Sequence, residues 1–388
     1  MTNRLNGSRR SGVAPFIAMD VMRDATALER QEGRRIIHLE VGQPSTQAPQ
    51  VVRDAAARAL ASDRLGYTDA LGTPALRERI ARYYADRHGI DLAPERVVVT
   101  PGSSGGFILA FLACFDPGAR VAISEPGYPA YRNILLALGL EPVGISVGAE
   151  TRWSLTPELI EEAERRHGRI AGVLVASPAN PTGTMLTPEA LAVLSQACAR
   201  QGRWFISDEI YHGISFGAET ATALASSDDA LVVNSFSKYY CMTGWRLGWV
   251  VVPERLVRPI ERLAQNLFIA PSSIAQAAGV VAFDATEELD ANVAVYAANR
   301  KLLLDALPEA GLARFAPADG AFYLYADVST LTNDSAGFCH RMLHEAGVAA
   351  TPGLDFDPLN GATTVRFSFA GATADMEEAV VRLKRWLA

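Results

Sequence analysis

Between about residue 95 and residue 252, short β-branched runs alternate with longer segments of helical period. That alternation is the pattern of an α/β unit built on a largely parallel sheet. The predicted strands are "RVVVT", "RVAIS", "EPVGISV", "AGVLVAS", "RWFIS", "LVVNS" and "LGWVVV". A shared device marks several helices: Thr73-Pro74, Thr156-Pro157 and Thr187-Pro188 each set a capping hydroxyl ahead of a proline at the first helical position. Gly89, Gly168 and Gly202 then fall where those helices should stop.

From about residue 285 onward the apolar β runs thin out, and helical stretches mix with short strands such as "AFYLYAD" and "TTVRFSFA". The predicted organisation is a large α/β domain over 46–284, with a mostly parallel seven-stranded sheet flanked by helices, and a smaller α+β domain over 285–388. Residues 1–45 are too few for a domain of their own and are expected to pack with the small one. The chain shows no internal repeat and no low-complexity stretch.

Composition narrows the classes. At 388 residues, 49% of them hydrophobic and 20% charged, the chain can bury a large core and reads as soluble and globular. A net charge of −7 argues against nucleic acid as a general partner. The basic cluster "RLNGSRR" at residues 4–10 has no apolar run behind it and reads as a loose tail rather than a targeting segment. The longest apolar run, "FILAFLACF" at Phe107 to Phe115, is about half of what a membrane-spanning helix needs. Cys114, Cys198, Cys241 and Cys339 are scattered without a CxxC pair, so a reduced, cytoplasmic setting is expected, with no metal.

Open α/β sheets bind ligands beyond the carboxyl ends of their strands. Here the exits are followed by "GSSGG", "EPGYPAY", "PANPTG", "DEIY" and "FSKYY". Taken singly, each has a plain explanation as a turn, a capping loop or a solvated strand end. Together they would line one crevice with groups able to do chemistry. Among them stands Lys238, one of only three lysines; the others, Lys301 and Lys384, lie in charged helical stretches. Two readings of Lys238 stand open on this segment alone: a side chain that snorkels past apolar neighbours, or a desolvated, nucleophilic amine.

A lysine in a ligand crevice suits pyridoxal phosphate, which works through a lysine Schiff base and needs an acid by its pyridine nitrogen and an anchor for its phosphate. Asp208 is a candidate for the acid. Ser103, Ser104 and Gly105 open a predicted helix whose free N–H groups favour an anion, and Arg246 adds a forked cation.

These residues resemble the class I/II aminotransferases, the fold-type I pyridoxal phosphate enzymes of the aspartate aminotransferase superfamily. The resemblance runs from "LEVGQPS" at Leu39 to "VRFSFA" at Val365, and its most specific parts are "NPTG", "DEIY" and "SFSKYYCMTGWRLG". It implies that Lys238 carries the cofactor and shuttles a proton, that Asp208 pairs with the pyridine nitrogen, and that Asn180 and Tyr211 bond the phenolic oxygen. It further implies phosphate ligands at Ser103, Ser104, Ser235 and Arg246, a stacking aromatic at Tyr128, and an α-carboxylate site at Gly42 and Arg366. Tyr67 would reach the phosphate of a neighbouring subunit, so a homodimer with shared active sites is implied. The reaction would be ping-pong transfer of an L-amino acid's α-amino group to a 2-oxo acid. No matched position appears for a second arginine that would recognise an acidic side chain. The donor's side chain is expected near Phe16, Ile17 and Tyr67, with a lean toward a neutral, apolar or aromatic donor.

Other activities share parts of this pattern. A β-lyase of the same fold would keep the same lysine, aspartate and phosphate ligands. Ser235-Phe236-Ser237-Lys238 also spells S-x-x-K, the signature of serine acyl-enzymes, but neither remaining lysine is followed by Thr-Gly.

Overall fold

A computed structural model describes residues 7–388. The first three residues of the basic cluster lie outside the described residues, and Arg9–Gly12 form a single 3-10 turn. The strands in chain order are β1 (Ile37–His38), β2 (Val97–Thr100), β3 (Arg120–Glu125), β4 (Glu141–Ser146), β5 (Ile170–Ala176), β6 (Trp204–Asp208), β7 (Leu231–Ser235), β8 (Gly248–Val251), β9 (Arg314–Phe315), β10 (Tyr323–Asp327), β11 (Val348–Ala349), β12 (Thr351–Pro352) and β13 (Thr364–Ser368). All seven predicted strands are present, and they form one sheet in the order β2-β8-β7-β6-β5-β3-β4. Only β8 runs antiparallel to its neighbours.

The sheet is covered on both faces over its interior strands, which explains why those are apolar nearly throughout, whereas the edge strand β4 alternates, burying Val143 and Ile145 between exposed positions. Val97 and Val99 of β2 pack with helices Pro74–His88, Pro188–Arg200 and Ser273–Ala282. Val98, between them, points to the other face and joins Phe107, Phe111 and Ile260 of helices Gly102–Cys114 and Glu254–Leu267.

The proline-led helices begin where the sequence places them, at Pro74, Pro157 and Pro188. Thr156 and Thr187 cap as expected, accepting from Leu159 and Ala190. Thr73 does not: its own N–H donates instead to Gln276 Oε1 at 2.7 Å, so a tertiary contact sets that helix entry. Gly89, Gly168 and Gly202 all adopt the positive φ that ends a helix.

Beyond helix Thr286–Ala306, strands β12-β13-β10-β9 form an antiparallel sheet whose core includes Phe322, Leu324, Phe367 and Leu383. The N-terminal chain joins this region: β1 pairs in parallel with β11, and Ala25 and Leu28 of helix Ile17–Glu32 pack with Leu343 and Ala349. Among the described residues no helix is long and apolar enough to cross a membrane.

Candidate active site

The carboxyl ends of the large-sheet strands meet the N-terminal segment and the antiparallel sheet around a cavity of about 550 Å3. Of the predicted site residues, Gly42, Ser103, Ser104, Tyr128, Asn180, Asp208, Tyr211, Lys238, Arg246 and Arg366 all line it.

Lys238 follows β7 and is half-buried, its Nζ donating to Gly42 O at 2.6 Å. The amine also lies 5.7 Å and 5.8 Å from the ring centroids of Tyr211 and Phe322. Burial lowers its pKa to about 8, helped by the positive charges of Arg366 and Arg246 and opposed by Asp208. Gly42 is required by close approach: a Cβ there would fall 1.7 Å from Tyr323 Oη.

Asp208 ends β6 and is only 3% exposed. Ile210 N–H donates to its Oδ1 at 3.0 Å and the Tyr131 hydroxyl donates to its Oδ2. Among the described residues no cation lies in ion-pair contact with it. Burial pushes the carboxyl up to about 6, against the lowering effect of those two hydrogen bonds and of Lys238. A protonated ring nitrogen would supply the missing positive charge.

At the end of β2, helix Gly102–Cys114 begins without a side-chain cap, so its first N–H groups are free for an anion. Arg246 stands against this turn: at Gly102, with φ of +71°, a Cβ would meet Arg246 Nη2 at 2.4 Å. Arg246 makes no carboxylate ion pair among the described residues and donates only to Thr243 O, at 3.0 Å. The free helix turn, the unpaired Arg246, the cation-poor Asp208 and the lowered Lys238 amine fit pyridoxal phosphate.

Arg366, on β13, is 2% exposed and bonded only to neutral acceptors. Its Nη1 donates to Asn180 Oδ1 at 2.9 Å, and its Nη2 donates to Glu40 O and, at 3.2 Å, to Thr351 Oγ1. Nε has no partner. The guanidinium lies over Tyr323 and Phe356, 4.4 Å and 4.7 Å from their centroids. A buried cation without an anion is costly, and a carboxylate in the cavity would relieve it.

Three predicted residues sit elsewhere. Ser235 is buried just behind the cavity, its hydroxyl donating to Leu247 O at 3.0 Å and sharing a hydrogen bond of 2.9 Å with Ser237 Oγ; Ser237 is the serine that lines the wall. Its hydroxyl and the Lys238 amine thus have different partners, which gives the S-x-x-K reading no support. Gly105 packs within the first helical turn, where a Cβ would meet the Pro101 ring at 2.7 Å. Tyr67 is 86% exposed and outside the cavity lining. Phe16 lines the cavity as expected, whereas Ile17 does not.

Several lining residues escaped the sequence reading: Met19, Met22, Tyr131, Ile210 and Tyr323. Tyr323 and Tyr211 share a hydrogen bond of 2.6 Å between their hydroxyls. A signal existed for some of them. Tyr131 lies one helical turn past Tyr128 in "YPAY", and Phe16, Met19 and Met22 form an i, i+3, i+6 stripe at the start of helix Ile17–Glu32.

An α/β crevice holding a depressed lysine amine, a buried aspartate and a phosphate-suited helix turn defines a fold-type I pyridoxal phosphate enzyme. Residues 34–383 match the family "aminotransferase class I and II", and the chain belongs to that family. It is 52% identical to a valine–pyruvate aminotransferase of Mycobacterium tuberculosis, over 100% of this chain and 99% of that one. A putative aminotransferase from Silicibacter pomeroyi superposes with a TM-score of 0.91 at 54% identity, covering 99% of both chains. The Thermus thermophilus aspartate aminotransferase solved with maleate gives 0.91 at 30% identity, covering 98% of this chain and 100% of that one. The protein is a pyridoxal-phosphate-dependent transaminase acting between an amino acid and a 2-oxo acid.

Proposed function

We propose that the amino donor is a neutral, apolar L-amino acid, with valine and pyruvate, the pair in the name of the Mycobacterium tuberculosis relative, as the first pair to test. One observation carries this: the cavity's cationic side chains are Lys238, Arg246 and Arg366, and each already has a use. Arg366 takes the α-carboxylate, Arg246 the cofactor phosphate, and Lys238 the cofactor itself. No cation of the lining is left for a side-chain carboxylate, while Phe16, Ala18, Met19, Met22, Val41 and Ile210 offer apolar surface.

When bound, pyridoxal phosphate supplies a carbonyl that captures the amino group and a cationic ring that draws the electron pair from Cα. The chain's residues do the rest. Ser103, Ser104 and Arg246 would hold the phosphate, with Gly105 lending only backbone and Ser235 acting only from behind through Ser237; Tyr128 would stack on the ring, and Asp208 would keep the ring nitrogen protonated. Asn180 and Tyr211 bond the phenolic oxygen. Gly42 and Arg366 would fix the α-carboxylate, and the Lys238 amine, whose pKa of about 8 leaves about a tenth of it neutral at pH 7, would take the Cα proton.

The exposed Tyr67 supports a homodimer in which it completes the partner's phosphate site, and the scattered free cysteines support a cytoplasmic setting. We take 46–284 and 285–388 as the two domains, with 1–45 belonging to the small one because β1 and helix Ile17–Glu32 contact it. Single half-reactions with individual amino acids, followed by loss of the bound cofactor's absorbance, test the donor. Valine should react about tenfold or more faster than aspartate, given what a mismatched side chain costs in such a pocket. Aspartate reacting as readily as valine would overturn the assignment.

A further inference from the structure

Helix Ile17–Glu32 carries Ala18, Met19 and Met22 into the cavity, and Phe16 precedes it. Phe16 meets Tyr128 edge-to-face at 5.6 Å, so the helix start stands beside the aromatic assigned to stack on the cofactor. Yet the helix has no cap of its own. Phe16 occupies the capping position, and its side chain accepts none of the first N–H groups. Uncapped N–H groups in a half-buried turn would leave the helix end weakly held.

The cap comes from a residue 338 positions away. Asp355 Oδ1 accepts from Ile17 N–H at 3.0 Å, and its Oδ2 accepts from Ala18 N–H at 3.1 Å. The aspartate is 4% exposed, so these bonds are its main compensation for burial. It sits on a tightly built turn: a Cβ on Gly353 would lie 1.9 Å from Thr364 Oγ1, and one on Gly361 would lie 2.3 Å from the Gly353 backbone. The next residue, Phe356, carries the Arg366 guanidinium on its ring at 4.7 Å. One short stretch of backbone therefore supports both the carboxylate receptor and the end of the apolar wall.

We propose that Asp355 is a positioning residue for substrate selectivity: by capping helix Ile17–Glu32 from the turn that precedes Phe356, it fixes Phe16, Met19 and Met22 as the surface against which the donor's side chain is measured. This role rests on the placement of the amino acid's carboxylate at Arg366 proposed above. The far end of the helix is held separately, where Glu29 Oε1 accepts from Ile36 N–H at 2.9 Å and Ala25 and Leu28 pack with Leu343 and Ala349; ahead of the helix, Asn133 Nδ2 donates to Ala14 O at 3.2 Å. Removal of the Asp355 bonds should therefore loosen the cavity end selectively, without releasing the whole helix.

The test uses the full-length, cofactor-loaded enzyme and the variants Asp355→Ala and Asp355→Asn, with kcat and KM measured for L-valine and L-alanine. Asp355→Ala should lower the valine-to-alanine ratio of kcat/KM by about tenfold, mostly through KM for valine, since the lost contacts are apolar ones. Asp355→Asn keeps one acceptor and should recover part of the ratio. Amide exchange over residues 17–22 should quicken in step, while the cofactor's absorbance stays unchanged. An unchanged ratio in either variant overturns the proposal, as does an equal loss for both substrates, which would mark Asp355 as merely structural. Should Asp355→Ala fail to fold, Asp355→Asn decides alone by the same ratio. If the wild-type enzyme itself shows no preference for valine over aspartate, the donor assignment fails instead, and amide exchange still reports on the cap.

Discussion

The two walls of the cavity are built in different ways. The wall assigned to the cofactor comes from strand exits of one sheet: Ser103 and Ser104 after β2, Tyr128 and Tyr131 after β3, Asp208 at the end of β6, and Lys238 after β7. The wall assigned to the substrate joins pieces far apart in sequence: Phe16 and Met19 at the start of the first helix, Gly42 from the segment after β1, and Tyr323 and Arg366 from the antiparallel sheet. Sheet geometry alone places the first set, whereas the second exists only once long-range packing is complete. Chemistry that must not vary is anchored in the sheet, and recognition that can be retuned is assembled around it.

Changes to the cofactor wall should abolish turnover, and changes to the substrate wall should alter the concentration needed. Lys238→Ala removes the amine assigned the proton transfer, so kcat should fall by about 10⁴-fold or more in steady-state assays, with the fold intact by circular dichroism. Borohydride treatment of the loaded wild-type enzyme should attach the cofactor to Lys238 and to no other lysine. Residual transamination near the wild-type rate in the variant would dissolve the distinction between the walls.

Arg366→Lys keeps a charge but loses the fork that bonds Asn180 and Glu40. KM for the amino acid should rise by about 10- to 100-fold, as expected for lost bonds to a buried ion, with a smaller effect on kcat. A fall in kcat at constant KM would move Arg366 to the chemical wall. The gentlest probe is pH. A neutral amine is needed to capture the cofactor, and the neutral fraction of Lys238 grows as pH rises through its pKa of about 8. Cofactor uptake by the cofactor-free protein should therefore climb about tenfold per unit below pH 8 and flatten above it. A flat profile between pH 6.5 and 9, at about constant cofactor ionisation, would contradict the burial of that amine.

Legibility in the sequence follows the same division. The interior strands of the large sheet could be read from their apolar runs, because a strand covered on both faces must be apolar whatever lies next to it, and the edge strand β4 from its alternation. Lys238 stood out as a lysine without a solvated face. Arg366 did not stand out on physical grounds; one arginine among many, it was found by resemblance, and its burial under Tyr323 and Phe356 is a product of tertiary packing. Thr73 shows the same limit on a small scale, since its helix entry is set by Gln276, roughly two hundred residues later. Met19 and Met22 could be read as one face of a helix, but nothing local says what that face looks upon.

The reversed direction of β8 settles one last point. Gly248 lies opposite both Thr100 and Ser235, so the beginning of this strand stands level with the far tips of its two neighbours. The chain leaves the sheet after Ser235, makes a short loop, and re-enters at the same rim, never crossing to the opposite edge. That out-and-back excursion carries the amine on the outward leg and the guanidinium of Arg246 on the return. A forward-running strand would need a crossover helix between them, and the two groups assigned to opposite ends of the cofactor could not share a single short loop.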